Sequence, residues 1–252
     1  MKSFLSTFLI LISFTAFAQT NNKMEQRKAK IQSMETQGCN EDLTQLKAAS
    51  MAYCQSKEVP VIESLPCIES ENEVVIRTKD EIIKRAMALL YLGLKSEGVE
   101  KKTLDRVDAT YDIRPNFSSV ELKYVDAENP DRQQQVNANW RYESLHVLLW
   151  ALGYVEELRY PANVCDVKTD VGIIAQRSLK IFTEQAKLRS KKEILDQADL
   201  IYRLHWAVVN ARIKGEESPA KLNSSVVYER HYVLNWLINY MNQDWDDVST
   251  DT

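Results

Sequence analysis

Ile194-Leu-Asp-Gln-Ala-Asp-Leu-Ile-Tyr-Arg-Leu-His-Trp-Ala-Val-Val-Asn-Ala211 is the stretch that decides the fold. At 3.6 residues per turn, Ile194, Ala198, Ile201, His205 and Val208 form one stripe. Leu195, Tyr202, Trp206 and Val209 form the adjacent one. A helix apolar over so wide an arc is expected inside a bundle, since no broad face is left for water. Its ends are marked as well. Ser190-Lys-Lys-Glu193 is a capping box, in which Ser and Glu side chains satisfy free amides of the first turn, and Gly215 supplies the stop.

The same punctuation recurs outward from this helix. Thr78-Lys-Asp-Glu81 opens a helix carrying Ile82, Ile83, Ala86, Leu89 and Leu90 to near Gly98, and Ser118-Ser-Val-Glu121 opens a short one. Asn129-Pro130 reads as a cap with proline at the first helical position, starting a helix that reaches Leu152 and stops at Gly153. Within it every residue from Leu145 to Leu152 except His146 is apolar, so this helix and Ile194–Ala211 are the expected centre. Ser224 or Ser225 caps a last helix to about Tyr240, and a first one covers Asp42 to Ser56. Pro60 and Pro66 bracket an irregular stretch between the first two helices. Strand signals are confined to residues 73–77 and 119–125. The chain predicts an all-α, single-domain multi-helix bundle over residues 41–252, with at most one or two short strands.

Residues 1–18 stand apart. Lys2, the apolar run from Phe4 to Phe17 and Ala16-Phe-Ala18 make the three-part pattern of a secretory signal peptide. The run is shorter than the roughly 20 residues a membrane-spanning helix needs. Residues 19–40 read as a polar spacer. The expectation is an exported chain, periplasmic or extracellular in a bacterium, with no transmembrane segment after cleavage. Loss of Lys2 moves the formal charge from −4 to −5, and this acidic balance argues against a nucleic-acid partner. Four cysteines, Cys39, Cys54, Cys67 and Cys165, allow one or two disulfides in three pairings, and the absence of Cys-x-x-Cys gives no support to zinc or redox chemistry.

Four stretches carry a family resemblance: Trp140–Gly153, Arg189–Ala207, Val227–Trp236, and Asp244–Val248 with Thr250–Thr252. Together they resemble the bacterial family of domain of unknown function 4272, from roughly Val59 to the C-terminus. That resemblance implies one domain and no known activity.

The three histidines, His146, His205 and His231, all lie in these stretches. Around them are Arg141, Glu143, Arg203, Glu229, Arg230, Asp246 and Asp247, interleaved with Trp140, Trp206 and Tyr228. Buried charge is costly unless paired, so these groups are expected to meet, as a network fixing helix packing or as the wall of a pocket. Asp246 and Asp247 are expected to pair with arginines. Glu143-Ser-Leu-His146 places two metal-ligand types on one helix face, but a second such pair is missing, so no metal or cofactor is expected and His146 is read as paired with Glu143. Phosphate-binding glycine loops, the serine-hydrolase elbow and His-Glu-x-x-His are absent. The leading expectation is a non-catalytic binding domain of the cell envelope with a protein or small-molecule ligand. The alternatives are an enzyme using a His–carboxylate pair, with or without a metal, and a purely structural domain.

Overall fold

The computed structural model describes residues 24, 25, 27–29, 31–33, 36 and 38–252. The segment read as a signal peptide lies outside them. From Glu41 onward nine α-helices follow one another: α1 (Glu41–Ser56), α2 (Lys79–Ser96), α3 (Lys101–Tyr111), α4 (Ser119–Asp126), α5 (Arg132–Ala151), α6 (Val167–Ala175), α7 (Leu179–Gln185), α8 (Lys191–Lys214) and α9 (Ser224–Leu237). Among the described residues there is no strand. None of their helices is long and apolar enough to cross a membrane.

The capping boxes at Thr78, Ser118 and Ser190 form as read, each hydroxyl accepting from the third amide of its helix and each glutamate reaching back. Gly153 and Gly215 adopt left-handed backbone (φ +79° and +72°), which only glycine enters freely, and so stop α5 and α8. Two caps differ from the reading. Asp131, not Asn129, caps α5 in a box with Gln134, which leaves Pro130 outside the helix. Asn223, not a serine, caps α9 by accepting from the amides of Ser225 and Val226. α9 also ends earlier, at Leu237, because Asn239 turns left-handed.

Residues 119–125 are helical, since a complete capping box outweighs their β-branched residues. The stretch after Glu73 forms no strand. Instead the Arg77 amide donates to Leu237 O (2.9 Å) and its guanidinium to Trp236 O and Gln243 O, which ties this segment to the end of α9.

The main helices pack in a row, α2 on α5, α5 on α9, α9 on α8 and α8 on α1. α5 is central as expected, with Leu145, Val147, Leu148 and Leu149 fully buried. α9 shares that position: Val226, Val227 and every residue from Glu229 to Leu237 are buried. α8 lies one place further out. Its first stripe is buried, but Tyr202, Trp206 and Val209 are only partly covered, and Asp199, Arg203 and Leu204 are buried in their place.

α2 and α5 meet at Gly93, where an added Cβ would lie 2.3 Å from the Tyr142 ring. Gly93→Ala is therefore expected to destabilise the domain, overpacking of about 1–3 kcal/mol exceeding the ~1 kcal/mol gained in helix propensity. Urea unfolding of the two proteins checks this, and an unchanged or raised midpoint would contradict the close crossing.

One disulfide forms, Cys39–Cys67, joining the segment before α1 to the loop before α2. Cys54 and Cys165 remain free thiols.

Candidate functional site

The ionisable residues of the late helices do not gather at one point; they form three groups. In the first, Glu229 on α9 accepts from Arg141 Nη1 (3.1 Å) and Ser144 Oγ (2.8 Å) on α5. The Arg141 guanidinium lies over the rings of Tyr232 (4.8 Å) and Trp245 (5.5 Å). Burial pushes the Glu229 carboxyl up from its ordinary value, against the pull of Arg141 and Ser144. Asp246 does not meet an arginine. Its carboxylate accepts from Ser119 Oγ and the Val120 amide, capping α4 from outside, because the C-terminal turn runs past that helix start. Asp247 is exposed beside it. Trp140 and Trp206 are half-buried and Tyr228 is exposed at the margins of the bundle.

The second group joins α8 to α9. His205 Nδ1 and His231 Nδ1 are 2.7 Å apart, and Asn235 Nδ2 lies 3.1 Å from His231 Nε2 and 2.8 Å from Ser249 O. An amide nitrogen donates, so His231 Nε2 accepts and its proton sits on Nδ1, directed at the lone pair of His205 Nδ1. Burial lowers the His205 pKa to about 4, aided by Arg212, and lowers His231 well below the ordinary range, aided by His205. Arg203 stands apart from both histidines, paired with Asp199 on its own helix and donating to Pro66 O.

The third group opens to solvent. Glu143 and His146 lie one turn apart on α5, but His146 does not pair with Glu143. α6 packs against α5 here, and Asp170 comes within 2.9 and 3.1 Å of His146 Nδ1. Glu143 is turned instead to the Cys165 amide, which donates to it, and to Arg230 of α9, whose Nε is 3.8 Å away. The Cys165 thiol contacts the carboxyls of Glu143 and Asp170, and its pKa is pushed up, chiefly by burial and then by those neighbours. A ring nitrogen of His146, the Cys165 sulfur and an Asp170 oxygen lie within 4.8 Å of one another.

These groups border a cleft of about 550 Å³ between α5, α6 and the loop after Gly153. α6 brings Asp170 there because Asp166 accepts from the Thr169 amide and so starts the helix one turn before it. Glu156, Glu157 and Asp166 also line the cleft, with Arg159 and Arg230 as counter-charges. Glu143 Oε2 and Arg230 Nε are buried and have no hydrogen-bond partner. A larger groove of about 1130 Å³ runs between α1 and α8, with mixed charges along its walls. The sequence reading placed Glu143, His146 and Arg230 among the candidates and missed Cys165 and Asp170. The Asp166-x-x-Thr169 cap was the signal that could have revealed α6.

Residues 46–248 match the family described as Domain of unknown function (DUF4272). The chain belongs to that family. The DUF4272 match begins earlier than the resemblance read from Val59 and stops before Thr250–Thr252, so it takes in most of α1 and every cleft residue. Comparison with curated proteins and with solved structures finds no match.

Proposed function

We propose that this DUF4272 chain is a ligand-binding domain of the bacterial cell envelope, exported by its first 18 residues, whose binding site is the cleft at His146, Cys165, Asp170 and Arg230. One observation carries the reading. Arg230, which lines the cleft, and Glu143 behind it each keep one buried atom, Nε and Oε2, without a hydrogen bond, the two atoms 3.8 Å apart. Buried polar atoms left in that state are few in folded proteins and call for a partner. The carboxylates around the cleft favour a small ligand carrying positive charge, and Arg159 can hold an anionic end. On this reading the site lies away from the Trp140–Arg141 and His205–Trp206 segments, where Arg141 pairs with Glu229 and His205 with His231.

A thermal-shift screen with small cations, amino acids and carboxylates tests it, using wild type and His146→Gln. A ligand at 100 times its dissociation constant adds about 2.7 kcal/mol, or several degrees in a domain of this size. The expected result is a shift in wild type that shrinks in the variant. No ligand raising wild type above the variant would overturn the reading. The His146–Asp170 pair also favours a second reading, a hydrolase in which His146 is the general base and Asp170 orients it. Turnover of a panel of ester and amide substrates, lost in Asp170→Asn, would support that one instead.

A further inference from the structure

We propose that the cleft binds one divalent transition-metal ion, zinc by its donor chemistry, through His146, Cys165 and Asp170, with Glu143 holding the cysteine segment from behind; this rests on the cleft being the binding site. The donors come from two elements that the fold brings together, His146 from α5 and Cys165 with Asp170 from the segment that opens α6. Sulfur, imidazole nitrogen and carboxylate oxygen together suit a borderline-soft ion, and zinc takes all three at about 2.0–2.3 Å. Tetrahedral donors at such lengths stand roughly 3.3–3.6 Å apart, so the present spread of up to 4.8 Å closes with small side-chain rotations. His146 Nδ1 and Asp170, now 2.9 Å apart, open by roughly half an ångström.

Charge points the same way. Glu143, Cys165 and Asp170 are three acidic groups in contact, and Arg230 is an arginine that lies against them, with its Nε 3.8 Å from Glu143. A dication reverses that balance. On binding, the Cys165 thiol releases its proton to solvent, and the imidazole proton moves from Nδ1 to Nε2 so that Nδ1 can ligate. Three protein ligands leave a fourth position facing the cleft, where a substrate or ligand atom can bind. The Glu143 carboxyl, accepting from the Cys165 amide, is an outer-sphere positioning group of the kind metal sites use.

Cobalt and zinc test this on the full chain, purified under mild reduction without chelator or affinity histidines. Titration with Co²⁺ is expected to give one ion per chain and a thiolate-to-cobalt charge-transfer band, displaced by Zn²⁺. Cys165→Ser should abolish the band, Cys54→Ser should keep it, and His146→Gln and Asp170→Asn should each weaken Zn²⁺ binding at least tenfold. Circular dichroism confirms folding of each variant. A band that survives Cys165→Ser, or no bound metal at saturating Zn²⁺, overturns the inference. If metal fails while an organic ligand still shifts melting through His146, the metal inference alone falls; if both fail, the cleft reading falls with it.

Discussion

Replacing Arg203 by alanine is expected to remove about 3–5 kcal/mol of stability, the range for stranding one member of a buried ion pair. Arg203 and Asp199 sit one turn apart on α8, their side chains 2% and 1% exposed, with the guanidinium Nε donating to Asp199 at 2.9 Å. Alanine leaves the carboxylate in the core without its ion-pair partner. The pair itself need not be stabilising, since desolvation offsets most of its attraction and Arg203 Nη1 has no hydrogen-bond partner. The double change Arg203→Met with Asp199→Leu should therefore recover most of the loss. Glu229→Ala strands Arg141, but that side chain is 22% exposed and can reach water, so a smaller loss is expected. Urea unfolding of the four proteins measures each value. An Arg203→Ala midpoint equal to wild type, or a double variant weaker than the single, would show that Asp199 is solvated.

Local chemistry wrote much of the fold into the chain. A capping box needs residues three apart, and a glycine stop needs one, so the ends of α2, α5 and α8 could be read within one or two residues. α3 could not, because its first turn has no side-chain cap. α6 and α7 are single short runs of 9 and 7 residues, too brief for a periodic stripe to stand out. The site was legible only in part for the same reason. Glu143 and His146 share a helix face, and period 3.6 reveals that. The pairing of His146 with Asp170 spans 24 residues and depends on how α6 lands on α5, which no local pattern encodes. Cys165 was one of four cysteines whose pairing stayed open, because composition counts cysteines and cannot place them. Arg141 pairs with Glu229 and Arg203 with Asp199, a residue outside the expected set, because which carboxylate each arginine reaches depends on helix packing that no local pattern encodes.

The His205–His231 contact should make the domain lose stability steadily as pH falls from about 6.5 to about 4. In the unfolded chain both imidazoles have ordinary values and take up protons in that interval. In the native chain they do not. His205 Nδ1 is occupied by the Nδ1–H of His231, so protonating His205 there would set two donors face to face at 2.7 Å, and protonating His231 at Nε2 would set its N–H against the Asn235 amide at 3.1 Å, both in a buried site. Both folded values are lowered, so the unfolded state binds more protons throughout the window, and stability rises with pH there and levels off above it. For His205 alone, a fall from 6.5 to about 4 corresponds to about 3 kcal/mol lost by the lower end. Carboxylates such as Glu193, held down to about 2, add their own losses only below their ordinary range. Unfolding free energies across this interval for wild type, His205→Gln and His146→Gln separate the contributions. Glutamine at 205 keeps an acceptor for His231 Nδ1–H but cannot titrate, so its slope should drop by about one proton while that of His146→Gln keeps both protons of the pair. A wild-type curve flat between neutrality and pH about 4.5, or a His205→Gln slope equal to it, would mean that water reaches the two rings and that α8 and α9 do not close over them.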